Sequence, residues 1–269
     1  IEEANEDLET FVKFLQGESV EVVRPEKTDC YYYNYCPRDS VFIHGNLTLA
    51  TPMPIRVRKG EWKAFKDHLD SPKEILCLNE SELYNKECIG NKDILALNEY
   101  SPAFDAANII RANDQLLYLV SNSGNKLGAN LLQGALGATA KVNLLQNVYS
   151  YMHIDSTVAF LREGLLLANP SRIKTKEDLP EPFRSWDIIW CPEPVDIGHF
   201  PQWCNASTWI NMNLFSLNTK LVALEEHQQP LRKALEQHGI ECAMLPMRHQ
   251  RTLGGGFHCV TLDTIRDVD

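Results

Sequence analysis

Phe104-Asp105-Ala106-Ala107-Asn108-Ile109-Ile110-Arg111-Ala112-Asn113-Asp114-Gln115-Leu116-Leu117-Tyr118-Leu119-Val120 sets two apolar runs about a short polar turn. Asn108 to Arg111 and Leu116 to Val120 read as two strands joined by a turn at Ala112-Asn113-Asp114. Lys126 to Leu136 then carries helical spacing, and Lys141 to Leu145 reads as a further strand. An acid, Asp105, stands at the entrance of the first strand.

The same plan recurs on either side. Toward the N-terminus, Cys36-Pro37-Arg38-Asp39 leads into two apolar runs, Val41 to Ala50, folded about Gly45-Asn46, the residues a tight hairpin turn requires. A helix over Lys59 to Leu69 and a strand over Ile75 to Leu78 follow. Ahead of this unit, Leu8, Phe11, Val12 and Leu15 mark a helix feeding a short strand at Val20 to Val23. Toward the C-terminus, His153-Ile154-Asp155-Ser156-Thr157 precedes strands Val158 to Leu161 and Leu165 to Ala168. Ala206-Ser207-Thr208 precedes a hairpin of Trp209 to Leu217 and Leu221 to Leu224, then a helix Gln229 to His238 and a strand Glu241 to Leu245. A fifth unit is expected to begin at Cys259, with Val260 and Leu262 on the buried face of its first strand. Hairpin, helix and strand thus return about every fifty residues, which signals a repeat architecture.

If the units are arranged radially, like propeller blades, their entrances converge on the axis. Asp39, Asp105, His153 with Asp155, Ser207 and Cys259 would then share one site. The competing explanation for each acid is local: an aspartate before a strand forms an Asx turn with no further role. Cys259 itself follows Arg251-Thr252-Leu253-Gly254-Gly255-Gly256-Phe257-His258. Three glycines accept backbone angles closed to other residues and allow close approach, so a thiol there is a candidate nucleophile. A buried, inert cysteine after a glycine turn is the bland alternative. His258 precedes Cys259 in what reads as extended chain and would face away from it, so the base must come from elsewhere. The glycines fit neither phosphate-cradling pattern.

The 269 residues, 44% hydrophobic and 23% charged, suffice for a substantial core. A net charge of -10 without a basic stripe argues against nucleic acid or an anionic membrane as partner. No apolar run approaches the roughly twenty residues of a membrane span, and the acidic first residues are unlike a signal peptide, so a cytoplasmic protein is expected. Eight scattered cysteines without a C-x-x-C pair signal neither a disulfide framework nor a zinc site. The run Cys30-Tyr31-Tyr32-Tyr33-Asn34-Tyr35-Cys36 reads as a junction across an absent loop.

Laid out in order, Cys36 to Asp39, Phe104 to Asn108, His153 to Thr157, Asn169-Pro170-Ser171-Arg172 and Arg251 to Asp263 resemble the arginine:X amidinotransferases, which act on glycine, lysine or inosamine phosphates. The resemblance runs from about Val20 to the C-terminus and implies a five-bladed α/β-propeller, residues 1–269 forming a single catalytic domain that lacks the opening strand of the first blade. It implies transfer of the amidino group of L-arginine to a small primary amine, through Cys259 as nucleophile, His153 as acid and base, and Asp105 as the histidine's partner. Asp39 and Asp155 are implied to hold the guanidinium, and Arg172 the donor carboxylate, with Ser207 and Met152 completing the substrate-binding set. Arg172 can equally be read as a surface arginine and Ser207 as the end of a loop. Neither metal nor organic cofactor is implied, and family members are often homodimers. Stretches Leu117 to Gly128 and Asn169 to Trp186 look closest to the bacterial antibiotic- or toxin-biosynthesis branch. The segment Ile55 to Asn98 matches poorly, which leaves the acceptor open; Arg56, Arg58 and Lys59 are its candidate anion cluster. Two alternatives stand: a hydrolase of the same fold in which water takes the amidino group, and a non-catalytic arginine binder.

Overall fold

The structure, a computed structural model, describes residues 1–25, 33–75 and 83–266. A helix, Glu2–Gly17 (α1), precedes four three-stranded sheets found among the described residues. The first holds Val41–His44 (β1), Leu47–Ala50 (β2) and Lys73–Glu74 (β3). The second holds Ile109–Ala112 (β4), Gln115–Leu119 (β5) and, after the helix Lys126–Leu136 (α2), Lys141–Leu145 (β6). Val158–Arg162 (β7), Leu165–Ala168 (β8), the short helix Glu181–Arg184 (α3) and Asp187–Trp190 (β9) make the third. Phe215–Ser216 (β10), Leu221–Glu225 (β11), Gln229–Glu236 (α4) and Glu241–Leu245 (β12) make the fourth, and Gln250–Leu253 (α5) follows. In every sheet the first two strands pair antiparallel and the third returns parallel to the second.

Side chains of a strand alternate between its two faces, and here both faces of each middle strand are covered. Leu116 and Tyr118 of β5 join Phe42, Leu49 and Leu132 in one core, while Leu117 and Leu119 join Val158, Leu166 and Phe183 in the next. Leu165 and Leu167 of β8 turn the other way, into a third core with Val222, Leu224 and Leu235. Ala223 of β11 then meets Phe11 and Leu15 of α1, Phe215 and Phe257. Each such fully buried leucine contributes about 1.5–3 kcal/mol of apolar burial. Leu262 packs with Val41, Ile43 and Phe65 of the first unit, so the segment from Phe257 to Leu262 touches both ends of the series. This is the α/β-propeller the repeats imply.

Several expected elements differ. Cys259 opens no strand: Phe257 to Val260 is a turn and no strand follows it among the described residues. Its backbone hydrogen bonds close locally, Val260 N to Gly256 O at 3.1 Å and Thr261 N to His258 O at 3.3 Å, and Arg38 Nε takes the His258 carbonyl at 2.7 Å. Val20 to Val23 is irregular chain whose Val20 and Val22 pack beneath α1. Residues 61–68 wind as a 3-10 helix kinked at Phe65. Trp209 lies in a 3-10 turn, Thr208–Met212, so the fourth hairpin is short. The expected strand Ile75 to Leu78 and the junction at Cys30 fall largely outside the described residues.

What positions the site is the element before each first strand: 3-10 turns at Pro37–Asp39, Ala106–Asn108, Ile154–Ser156 and Thr208–Met212, packed each against the next. Asp39 ends the first, Asp105 and His153 flank the second and third, Asp155 lies within the third, and Ser207 precedes the fourth. No described helix is long and apolar enough to cross a membrane.

Candidate active site

The thiol of Cys259, 3% exposed, donates to Asp155 Oδ2 at 3.0 Å. Asn213 fixes it from the other side. Its Nδ2 donates to the sulfur at 3.1 Å, and its Oδ1 accepts the backbone N–H groups of His258 at 2.9 Å and Cys259 at 3.2 Å. The glycines make this contact possible. Gly254 sits at φ +80°, and a Cβ on Gly256 would stand 2.9 Å from Asn213's carbonyl oxygen. The triple-glycine run therefore admits protein neighbours, Cys36 against Gly255 and Asn213 against Gly256. Asn213 was not legible in the sequence.

His153 Nε2 lies 2.9 Å from Asp105 Oδ2, and its Nδ1 lies 3.7 Å from Asp39 Oδ1. Burial alone would lower its pKa; the Asp39 charge and the Asp105 hydrogen bond outweigh burial and hold the imidazole at about 9. Asp105 is fully buried and Asp39 2% exposed. Burial pushes the Asp39 carboxyl above its ordinary range, against the pull of His153 and of Arg58, whose Nη1 is 2.9 Å away. Arg58 in turn is gripped by Glu61 at 2.8–3.1 Å, and its charge faces the Tyr33 ring. The anion cluster anticipated at Arg56, Arg58 and Lys59 is thus not formed as such, because Arg58 is turned inward onto two carboxylates.

Asp155 stays ionised despite its burial, which hydrogen bonds from His258 and Cys259 and the nearby His153 charge outweigh. His258, expected to face away from the cysteine, reaches the same Asp155 oxygen with Nδ1 at 3.4 Å; burial and Arg38 keep it neutral. The Cys259 thiol is held far above its ordinary pKa by a hydrogen bond with Cys36, by burial and by the Asp155 charge. One oxygen each of Asp39 and Asp105 is buried with no hydrogen-bond partner among the described residues. Buried acceptors normally have donors, so these two oxygens are unspent accepting capacity within the site.

Arg172 anchors the neighbouring turn through Nη1, which donates to Ser156 Oγ at 2.8 Å and Thr157 Oγ1 at 2.7 Å. Met152 is half-buried beside His153. Ser207 is exposed at the start of its turn and caps nothing, so geometry adds little to its case. The arrangement can hold a flat cation between carboxylates, present a sulfur to it, and move a proton through one imidazole.

No protein-family model matches the sequence. Over 99% of its length the chain is 38% identical to inosamine-phosphate amidinotransferase 1 of Streptomyces glaucescens, of which it covers 81%. It is 32% identical to the L-arginine:L-lysine amidinotransferase of Pseudomonas savastanoi pv. phaseolicola, over 99% of this chain and 79% of that protein. The solved inosamine-phosphate amidinotransferase of Streptomyces griseus superposes with a TM-score of 0.94 at 37% identity, covering 100% of this chain and 82% of that one. With such likeness along nearly its whole length, to proteins of more than one acceptor, the chain belongs to the amidinotransferase family.

Proposed function

We propose that this amidinotransferase takes the amidino group from L-arginine onto Cys259 and passes it to a small primary amine. The observation that carries the reading is the buried cluster in which the Cys259 thiol, Asp155, Asp39 and the His153–Asp105 pair meet, with acceptor oxygens unspent on Asp39 and Asp105. A guanidinium presents five N–H donors in a plane, and carboxylates on two sides fix that plane against the sulfur. Its charge also favours the thiolate, so the nucleophile is activated when the donor arrives.

As the cationic donor binds, the Cys259 proton is lost to solvent, and the thiolate attacks the central guanidinium carbon, forming a C–S bond. His153 gives its proton to the departing nitrogen, the C–N bond breaks, and ornithine leaves an S-amidino cysteine. Neutral His153 then takes a proton from the acceptor amine, whose nitrogen attacks the same carbon as the C–S bond breaks and the thiolate returns. Asp105 holds the ring and stabilises the imidazolium throughout. Asp39 and Asp155 stabilise positive charge on the tetrahedral species.

Intact-mass measurement after mixing with arginine alone tests this: one amidino group should be added to the native protein and none to Cys259→Ala, with one equivalent of ornithine released. Rapid citrulline formation without an amine would replace the transferase reading by hydrolysis, and ornithine release by Cys259→Ala would end it.

A further inference from the structure

Next to Asp155 lies a cavity of about 90 Å³ whose other lining residues take no part in the chemistry above. Strands β4, β7 and β10 wall it with apolar side chains, Asp155 and His258 stand at one end, and Arg38, Arg111, Arg266 and Asp263 supply its remaining charge. A volume of this size accommodates several waters or one small anion.

Three guanidinium groups share one carboxylate here. Asp263 Oδ2 is 3.4 Å from Arg38, 3.6 Å from Arg111 and 3.8 Å from Arg266, all beyond good hydrogen-bond length. Arg38 is otherwise engaged with His258 O and Thr261 Oγ1, and Arg266 with the carbonyls of Ser216 and Leu217. The Arg111 guanidinium makes no hydrogen bond among the described residues and has only the 3.6 Å contact with Asp263. Its pKa is lowered by burial and by repulsion from Arg38 and Arg266, while Asp263 opposes both. Even with Asp155 counted, three cations face two carboxylates, and His258 is held neutral.

We propose that this cavity is a binding site for a small tetrahedral oxyanion, of which inorganic phosphate is the simplest, recognised by the unspent fork of Arg111 with the charges of Arg38 and Arg266. A guanidinium fork matches two oxygens of such an anion. The ligand competes with Asp263 for the same cations, so removing that carboxylate should tighten binding.

Titration calorimetry with inorganic phosphate at constant ionic strength tests the site. The wild-type chain should bind one equivalent, Arg111→Gln should weaken binding by about tenfold or more, and Asp263→Asn should strengthen it. Cys259→Ala should bind as the wild type does, which separates this site from the donor pocket and keeps the result independent of the proposed reaction. No saturable binding, binding unchanged in Arg111→Gln, or chloride binding as tightly as phosphate would overturn the proposal. Arg111→Gln decides the matter if Asp263→Asn does not fold.

Discussion

Replacing Asp105 with Asn removes the charge behind the 2.9 Å contact to His153 Nε2 while keeping the side chain's shape. His153 near 9 rather than 6.5 favours its charged form by about 3 kcal/mol. Losing an adjacent opposite charge moves such a pKa by about one to three units. With Asp39, 3.7 Å from Nδ1, and the Asp155 charge left, His153 should titrate in the range of about 6 to 8. A drop of two units makes the imidazolium about ten times scarcer near pH 8, and the departing nitrogen loses its acid. Single-turnover ornithine release, which needs the donor alone, should therefore show an alkaline limb that moves down by that amount, with a smaller loss near pH 6.

Stability offers an independent reading of the same pair. The folded-state pKa lies above that of the unfolded chain, so the contribution of His153 is fully present below about 6.5 and is lost as pH rises through about 9. Urea midpoints compared near pH 6 and above pH 9 should fall in the wild type, and less so in Asp105→Asn. If the variant keeps the wild-type alkaline limb, His153 held by Asp105 is not the proton donor, and the reasoning fails.

Arg58→Met strips Asp39 of its 2.9 Å partner and raises further a carboxyl that burial already raises. The KM for arginine should rise most at low pH and recover as pH increases and Asp39 ionises, with Arg58→Lys partly restoring it; a KM independent of pH in Arg58→Met would contradict this. Asn213→Ala leaves two backbone N–H groups at the nucleophile without their acceptor and should cost about 1–3 kcal/mol in urea unfolding as well as slowing ornithine release. Gly256→Ala should cost about 1–3 kcal/mol because its Cβ meets Asn213's carbonyl oxygen. Gly134→Ala, with open space inside α2, should instead gain about 0.5–1 kcal/mol. Equal melting shifts for the two glycine variants would show that the contact at Gly256 does not matter as described.

The second unit was legible nearly to the residue because its signals agree. Alternation in β5 matches two buried faces, and α2 runs from the Asn125 cap, which accepts from Gly128 N at 2.8 Å, to Gly137. The converging entrances were legible as a pattern for Asp39, Asp105 and His153, which stand at the turns before successive hairpins, whereas Cys259 reaches them from a turn that opens no strand. Val260 and Leu262 misled because apolar alternation is also what a turn shows when its neighbours pack against two different cores. Cys36 and Asn213 were not legible as site residues, because what defines each is a partner from another unit, Cys259, while Arg58, read as part of an anion cluster, is turned onto Asp39 of its own unit. His258 was misjudged for the same reason, as its facing direction follows from a turn where the letters suggest a strand.

Phe257 belongs to the core of the last sheet, Leu262 to that of the first, and the reactive sulfur rides on the few residues between them. The nucleophile is thus mounted on the buckle of a belt. Any loosening that lets the first and last sheets part must carry Cys259 away from Asp155 and Asn213 before any one sheet loses its own ladder, so under mild denaturant chemical competence should vanish ahead of circular dichroism.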